Sequence, residues 1–178
     1  SKTGFSAAAF IRAAGFDGTV VGLTGEQNAA FTGGLGCYDR VIPYGQLETL
    51  SKQPSVYIDI AGDVDVRSRL HRLLEDRAVR TLLVGATHWD QFAKSVDGGA
   101  LPGSEPEVFF APAQIEKRDA EWGRGAMMIK AYAASIALAQ QLAPTLVMES
   151  YSGVVACDAM WQALLDNRIS GQRGIMMS

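Results

Sequence analysis

Short β-branched runs alternate with helical stretches along this chain, and few folds accommodate that alternation. Thr19-Val20-Val21-Gly22-Leu23-Thr24 is a continuous run of the kind that forms a strand buried on both faces. Gly25-Glu26-Gln27-Asn28 opens a short helix through Phe31, and Gly33-Gly34-Leu35-Gly36 breaks it. Further strands are predicted at 39–44, 55–60, 80–85 and 107–111, with a helical turn at 46–50. Between 63 and 76 lies an amphipathic helix, with Val66, Leu70, Leu73 and Leu74 on one face. Arg67, Arg69, Arg72 and Glu75 fall on the other face, and His71 is placed on the solvated side. This order predicts an α/β fold with a doubly wound parallel sheet.

The pattern changes at Pro112, which is expected to stop the strand at 107–111. Residues 114–141 read as a long Ala-rich helix, broken near Gly123-Arg124-Gly125 and ended by Pro144. A helix at 152–167 and a strand at 175–177 follow. That strand is either the edge of the same sheet or part of a second domain. The expected division is 1–112 for the sheet region and 113–178 for a C-terminal helical return with a closing strand. The start, Ser1-Lys2-Thr3-Gly4, leads straight into a helix at 5–14, with Gly15 as its stop. A helix of this kind is commonly a second element, so the chain reads as a fragment of a longer polypeptide.

Composition narrows the function. Sixteen Lys and Arg against nineteen Asp and Glu give a net charge of −3, which leaves no basic footprint for nucleic acid. No apolar run approaches the ~20 residues of a membrane span. Two cysteines, Cys37 and Cys157, and two histidines make neither a disulfide framework nor a metal cluster. A cytoplasmic protein acting on a small molecule, without metal, nucleic acid or membrane, is the expectation, with homo-oligomers open.

Four stretches resemble the nucleotide-binding half of the medium-chain dehydrogenase/reductase superfamily, in its zinc-free quinone-reductase-like branch. The first is Val20-Val21-Gly22-Leu23-Thr24 with Leu35-Gly36-Cys37-Tyr38-Asp39-Arg40-Val41-Ile42-Pro43-Tyr44, similar to that family's second and third strands. The second is Tyr57-Ile58-Asp59-Ile60-Ala61-Gly62, and the third is Leu83-Val84-Gly85-Ala86. The fourth runs from Ala156 to Leu165 and on through Ser170-Gly171-Gln172-Arg173-Gly174-Ile175-Met176. Their order spans nearly the whole chain. Ser1-Lys2-Thr3-Gly4, Ala86-Thr87-His88-Trp89 and Phe109-Phe110-Ala111-Pro112 are closer still to an uncharacterised branch of that superfamily.

The resemblance implies a Rossmann-like sheet that lacks its first strand. In the order 3-2-1-4-5-6 that strand lies between 19–24 and 55–60. It is expected to come from residues before Ser1 or from another chain; otherwise those two strands pair directly. The family's glycine-rich fingerprint is absent from the sequence.

The resemblance also implies a bound NADP or NAD. Ser1, Lys2, Thr3 and Gly4 would meet a pyrophosphate at a helix N-terminus; the alternative is that Ser1 or Thr3 simply caps the helix. Thr24 to Asn28 would read the adenine ribose. No Lys or Arg stands there, which speaks against NADP, whereas Tyr44 matches a family tyrosine beside the NADP 2′-phosphate. Tyr44 is equally readable as a half-buried strand-end aromatic. Ala61, Gly62, Gly85, Ala86 and Thr87 end the central strands, where small residues let a cofactor approach or serve tight turns. Phe110 is carried over with them. His88 could serve as an acid, a base or an amide-orienting group, though structural use is commoner. Asp59 could cap a neighbouring loop. No catalytic residue is assigned.

These readings predict the nucleotide-binding region of a zinc-independent NAD(P)H-dependent oxidoreductase of unknown substrate. Two others stay open: a non-catalytic Rossmann-like binding or regulatory module, and an enoyl reductase domain of a multienzyme.

Overall fold

The computed structural model describes residues 1–85, 101–166 and 168–178. It is a mixed α/β structure, and every strand pairing in it is parallel. The chain forms two compact units. One comprises residues 44–131 with Ser1 and Thr3, the other residues 4–43 and 132–178 with Lys2.

The first unit opens with a 3-10 stretch, Tyr44–Thr49, that buries Leu47. Strand β3 (Ser55–Asp59) leads into helix α3 (Val64–Leu74) and back to β4 (Ala78–Leu83). Strand β5 (Pro106–Val108) completes the sheet in the order β3-β4-β5. Tyr57 stands opposite Thr81, and Leu82 opposite Glu107. Pro106, which has no N–H to give a ladder, sits at the start of an edge strand. Helix α3 starts where it does because Asp63 caps it. The Asp63 carboxylate accepts hydrogen bonds from the N–H groups of Asp65 and Val66, each at 3.0 Å. Val66, Leu70 and Leu74 recur every four residues and are all buried. Each such side chain contributes roughly 1.5–3 kcal/mol.

Two polar residues of this helix depart from the expectation. Arg67 and His71 are 2% and 0% exposed, not solvated. The His71 ring is held between Pro102 and Thr81. Its Nδ1 lies 2.8 Å from the Pro102 carbonyl oxygen, and its Nε2 lies 3.0 Å from the Thr81 hydroxyl. A carbonyl only accepts, so Nδ1 carries the proton and the Thr81 hydroxyl donates to Nε2.

Helix α4 (Ala111–Trp122) starts three residues before the expected 114. Pro112 opens it instead of only stopping a strand, because the first turn does not need the missing N–H. Helix α5 (Ala126–Leu142) follows after a break at residues 123–125, as the sequence predicts.

In the second unit, helix α1 (Lys2–Ala13) precedes β1 (Val21–Thr24), helix α2 (Ala29–Gly33) and β2 (Arg40–Pro43). Strands β1 and β2 pair alone, with Leu23 opposite Ile42. Phe5 and Ala8 of α1, Leu35 and Cys37 beyond α2, and Leu138 and Leu142 of α5 form one buried cluster. Cys37 is therefore a packing residue. The Arg12 guanidinium pairs with Asp39, and the Asp39 carboxylate also accepts the Val20 N–H at 2.7 Å.

The unit closes with β6 (Val147–Tyr151), helix α6 (Val154–Leu165) and β7 (Arg173–Met177). Strand β6 is a finding that the sequence does not predict. With it, β7 forms a separate two-stranded sheet. The described strands thus lie in three parallel sheets where one is expected. Strands β1 and β3 do not pair with each other, so the direct pairing of 19–24 with 55–60 is not adopted.

One cross-strand cluster on the β6–β7 pair titrates. Arg173 donates to both Glu149 oxygens, at 2.8 and 2.6 Å, and the Tyr151 hydroxyl donates to Oε2 at 2.6 Å. The Arg173 bonds first, then the Tyr151 bond, pull the Glu149 carboxyl down to about 2. A depressed carboxylate stabilises the fold fully above its ordinary value of 4.5, and that contribution is lost as pH falls through about 2. The urea midpoint of the Glu149→Gln variant is therefore expected to fall less between pH 5 and pH 2.5 than that of the parent chain. Identical acid limbs would remove Glu149 from the acid response.

Candidate functional site

Strands β3 and β4 finish side by side, and the polar residues gathered there form the best-built site in the described chain. The Asp59 peptide oxygen accepts the N–H of Val84 at 2.8 Å and that of Gly85 at 3.3 Å. The Asp59 carboxylate is fully buried. One oxygen accepts the Gly62 N–H at 2.8 Å, and the other accepts Arg67 Nη1 at 3.1 Å. Asp59 therefore caps the loop that follows it, as its position in the sequence allows. Burial pushes the Asp59 carboxyl above the usual range, against the opposing pull of the Gly62 N–H and Arg67.

Two tyrosines belong to the same neighbourhood. Burial, then the charges of Asp63 and Asp59, raise the Tyr44 phenol. Burial and Asp59 raise that of Tyr57 much further. Both stay protonated at neutral pH, so each can donate a hydrogen bond to an acceptor on a ligand.

The glycines here answer to the backbone. Gly62 has φ +70°, a left-handed conformation that favours glycine. A Cβ on Gly85 would lie 2.2 Å from the Ile60 carbonyl oxygen. Strand-end packing, not room for a cofactor, thus accounts for Gly85. Gly85→Ala is expected to lower stability by about 1–3 kcal/mol in urea unfolding without any ligand present. An unchanged midpoint would return Gly85 to a ligand-binding role. The α3 N-terminus is also taken, since Asp63 places its own carboxylate on the free N–H groups.

The other expected site residues are distributed as follows. Tyr44, Ala61, Gly62, Gly85 and Phe110 belong to the first unit, and Phe110 is 63% exposed. Thr24, Asn28, Lys2 and Gly4 belong to the second. Lys2 Nζ donates to the Arg173 carbonyl at 2.9 Å, and the Asn28 side-chain oxygen accepts the Gly171 N–H at 3.3 Å. Ser1 and Thr3 are exposed at the start of α1. Thr24 ends β1, and nothing lies within 4 Å of a Cβ placed on the adjacent Gly25, so the backbone there is open. Ala86 and Thr87, with His88 and Trp89, lie outside the described residues. Sequence reasoning missed Arg67, Tyr57 and Asp63. Of these only Asp63 carries a local signal, an acidic residue directly before an amphipathic run.

The model of the family described as "Protein of unknown function (DUF2855)" matches residues 1–170. The chain belongs to this family. Within this DUF2855 chain the match covers every expected site residue and stops short of β7. No curated protein and no solved structure matches it. Among the described residues of the DUF2855 chain, no group of three or more His, Cys, Asp or Glu is gathered to hold a metal ion. No described helix is long and apolar enough to cross a membrane.

Proposed function

We propose that the chain is the Rossmann-like nucleotide-binding region of a zinc-independent reductase that uses NADP(H) or NAD(H). The observation that carries this reading is the open backbone at Gly25, directly past the carboxyl end of β1 and next to Thr24. In open parallel α/β sheets, ligands bind beyond the carboxyl ends of the strands. The ordered resemblance of four stretches to one superfamily supports it. The nucleotide, when bound, supplies hydride chemistry. Thr24 would face the ribose. On this reading the chain acts on a small molecule in a reducing, cytoplasmic setting, consistent with free thiols at Cys37 and Cys157.

A second reading, a non-catalytic binding or regulatory module, is favoured by Gly62, Gly85 and the capped α3 helix. At those points the protein's own backbone and carboxylate occupy what a dinucleotide would use. Titrating the chain with NADPH and NADH while following tryptophan fluorescence separates the two. Saturable binding of either nucleotide, weakened by Thr24→Val, supports the reductase reading. No saturable signal with either nucleotide, confirmed by calorimetry, leaves the second.

A further inference from the structure

Helix α6 leaves most of its apolar surface uncovered. Of its residues Ala163 alone is buried, while Trp161 and Leu164 are 60% and 54% exposed. Between α6 and β7, both in the second unit, runs an open groove of about 460 Å³. That volume falls within the roughly 300–1,000 Å³ of small-molecule sites. Met160, Trp161, Leu164, Ile175 and Met177 line it, and Asp158 is the one charged residue among the described residues of its wall. No ion pair to Asp158 is present among the described residues. The cation of β7 is already engaged, because Arg173 donates to both Glu149 oxygens.

We infer that the α6–β7 groove binds a small apolar amine, with its ammonium group at Asp158 and Trp161 and its body along Leu164 and Ile175. Asp158 and Trp161 stand three residues apart on α6, so they are neighbours on one helix face. A carboxylate beside an exposed indole, set in an apolar wall, suits a cation carried on a hydrocarbon or aromatic body. The carboxylate attracts the ammonium by charge, and the indole face attracts it through its quadrupole. Leu164, Ile175 and Met177 take the apolar body out of water. A neutral apolar guest covers part of the carboxylate and returns nothing for the water it displaces. A carboxylate guest meets like charge. The inference goes beyond the nucleotide reading and does not rest on it.

The test is isothermal titration calorimetry of the purified chain with n-octylammonium, n-octanol and n-octanoate, each kept below the concentration at which it self-associates. Asp158→Asn and Trp161→Leu are titrated alongside. Both positions are exposed, and circular dichroism melts verify that each variant folds. The expected result is saturable binding of n-octylammonium, tighter than that of n-octanol and tighter still than that of n-octanoate. Asp158→Asn is expected to weaken the amine about fivefold and to leave n-octanol unchanged. Trp161→Leu, which keeps the wall apolar, is expected to weaken the amine about threefold. No saturable binding of n-octylammonium would overturn the inference. So would equal affinity for the amine and the alcohol, or an amine affinity indifferent to Asp158→Asn. None of these outcomes depends on nucleotide binding.

Discussion

Replacing Arg67 with Met is expected to destabilise the chain by about 3–5 kcal/mol, read as a loss in urea-unfolding free energy. The Arg67 and Asp59 side chains are 3% and 0% exposed and meet at 3.1 Å. Removing the cation leaves a carboxylate buried where water cannot solvate it. Asp59→Asn is expected to destabilise the chain as well, because it removes the carboxylate charge that faces Arg67 Nη1. Combining the two changes should cost less than the sum, since neither charge is then left alone. Strict additivity would show that the two groups do not share one interaction. The pair ties the end of β3 to the first turns of α3, so its loss should also loosen the loop at Gly62.

His71→Ala carries the second large effect, about 2–4 kcal/mol by the same measurement. The substitution empties a fully buried ring position and leaves two groups without partners. One is the Pro102 carbonyl; the other is the Thr81 hydroxyl, which is itself 0% exposed. Adding Thr81→Val removes the stranded hydroxyl and should recover part of the loss. A double variant worse than the single one would show that Thr81 is held by something other than His71.

The elements were legible wherever local pattern sets them. Asp63 followed by Val66, Leu70 and Leu74 reads directly as α3, and the β-branched runs at 19–24 and 55–60 contain β1 and β3. What stayed hidden depends on partners distant in sequence. Arg67 and His71 occupy the polar side of a helical wheel. Their burial follows from Asp59 on a preceding strand and from Thr81 and Pro102 ahead. Strand β6 was missed because Glu149 and Ser150 interrupt its apolar character. Arg173, 24 residues on, makes Glu149 acceptable there. Proline signals gave the right place and the wrong meaning at Pro112. The candidate site was legible in its glycines and in Asp59, though the close approach of Ile60 to Gly85 has no trace in the sequence.

The sheet order also bears on how the molecule opens. Among the described strands, β4 alone has a hydrogen-bonded neighbour on each side; every other strand has one. Successive amides of β4 point to opposite sides, so each faces a neighbouring strand, whereas in β1, β2, β6 and β7 only alternate amides do. Deuterium should therefore enter the two-stranded pairs first and Thr81 to Leu83 last. The slowest-breathing part of the chain is then the strand whose end supports Gly85, so the candidate site rests on the stretch least given to local opening.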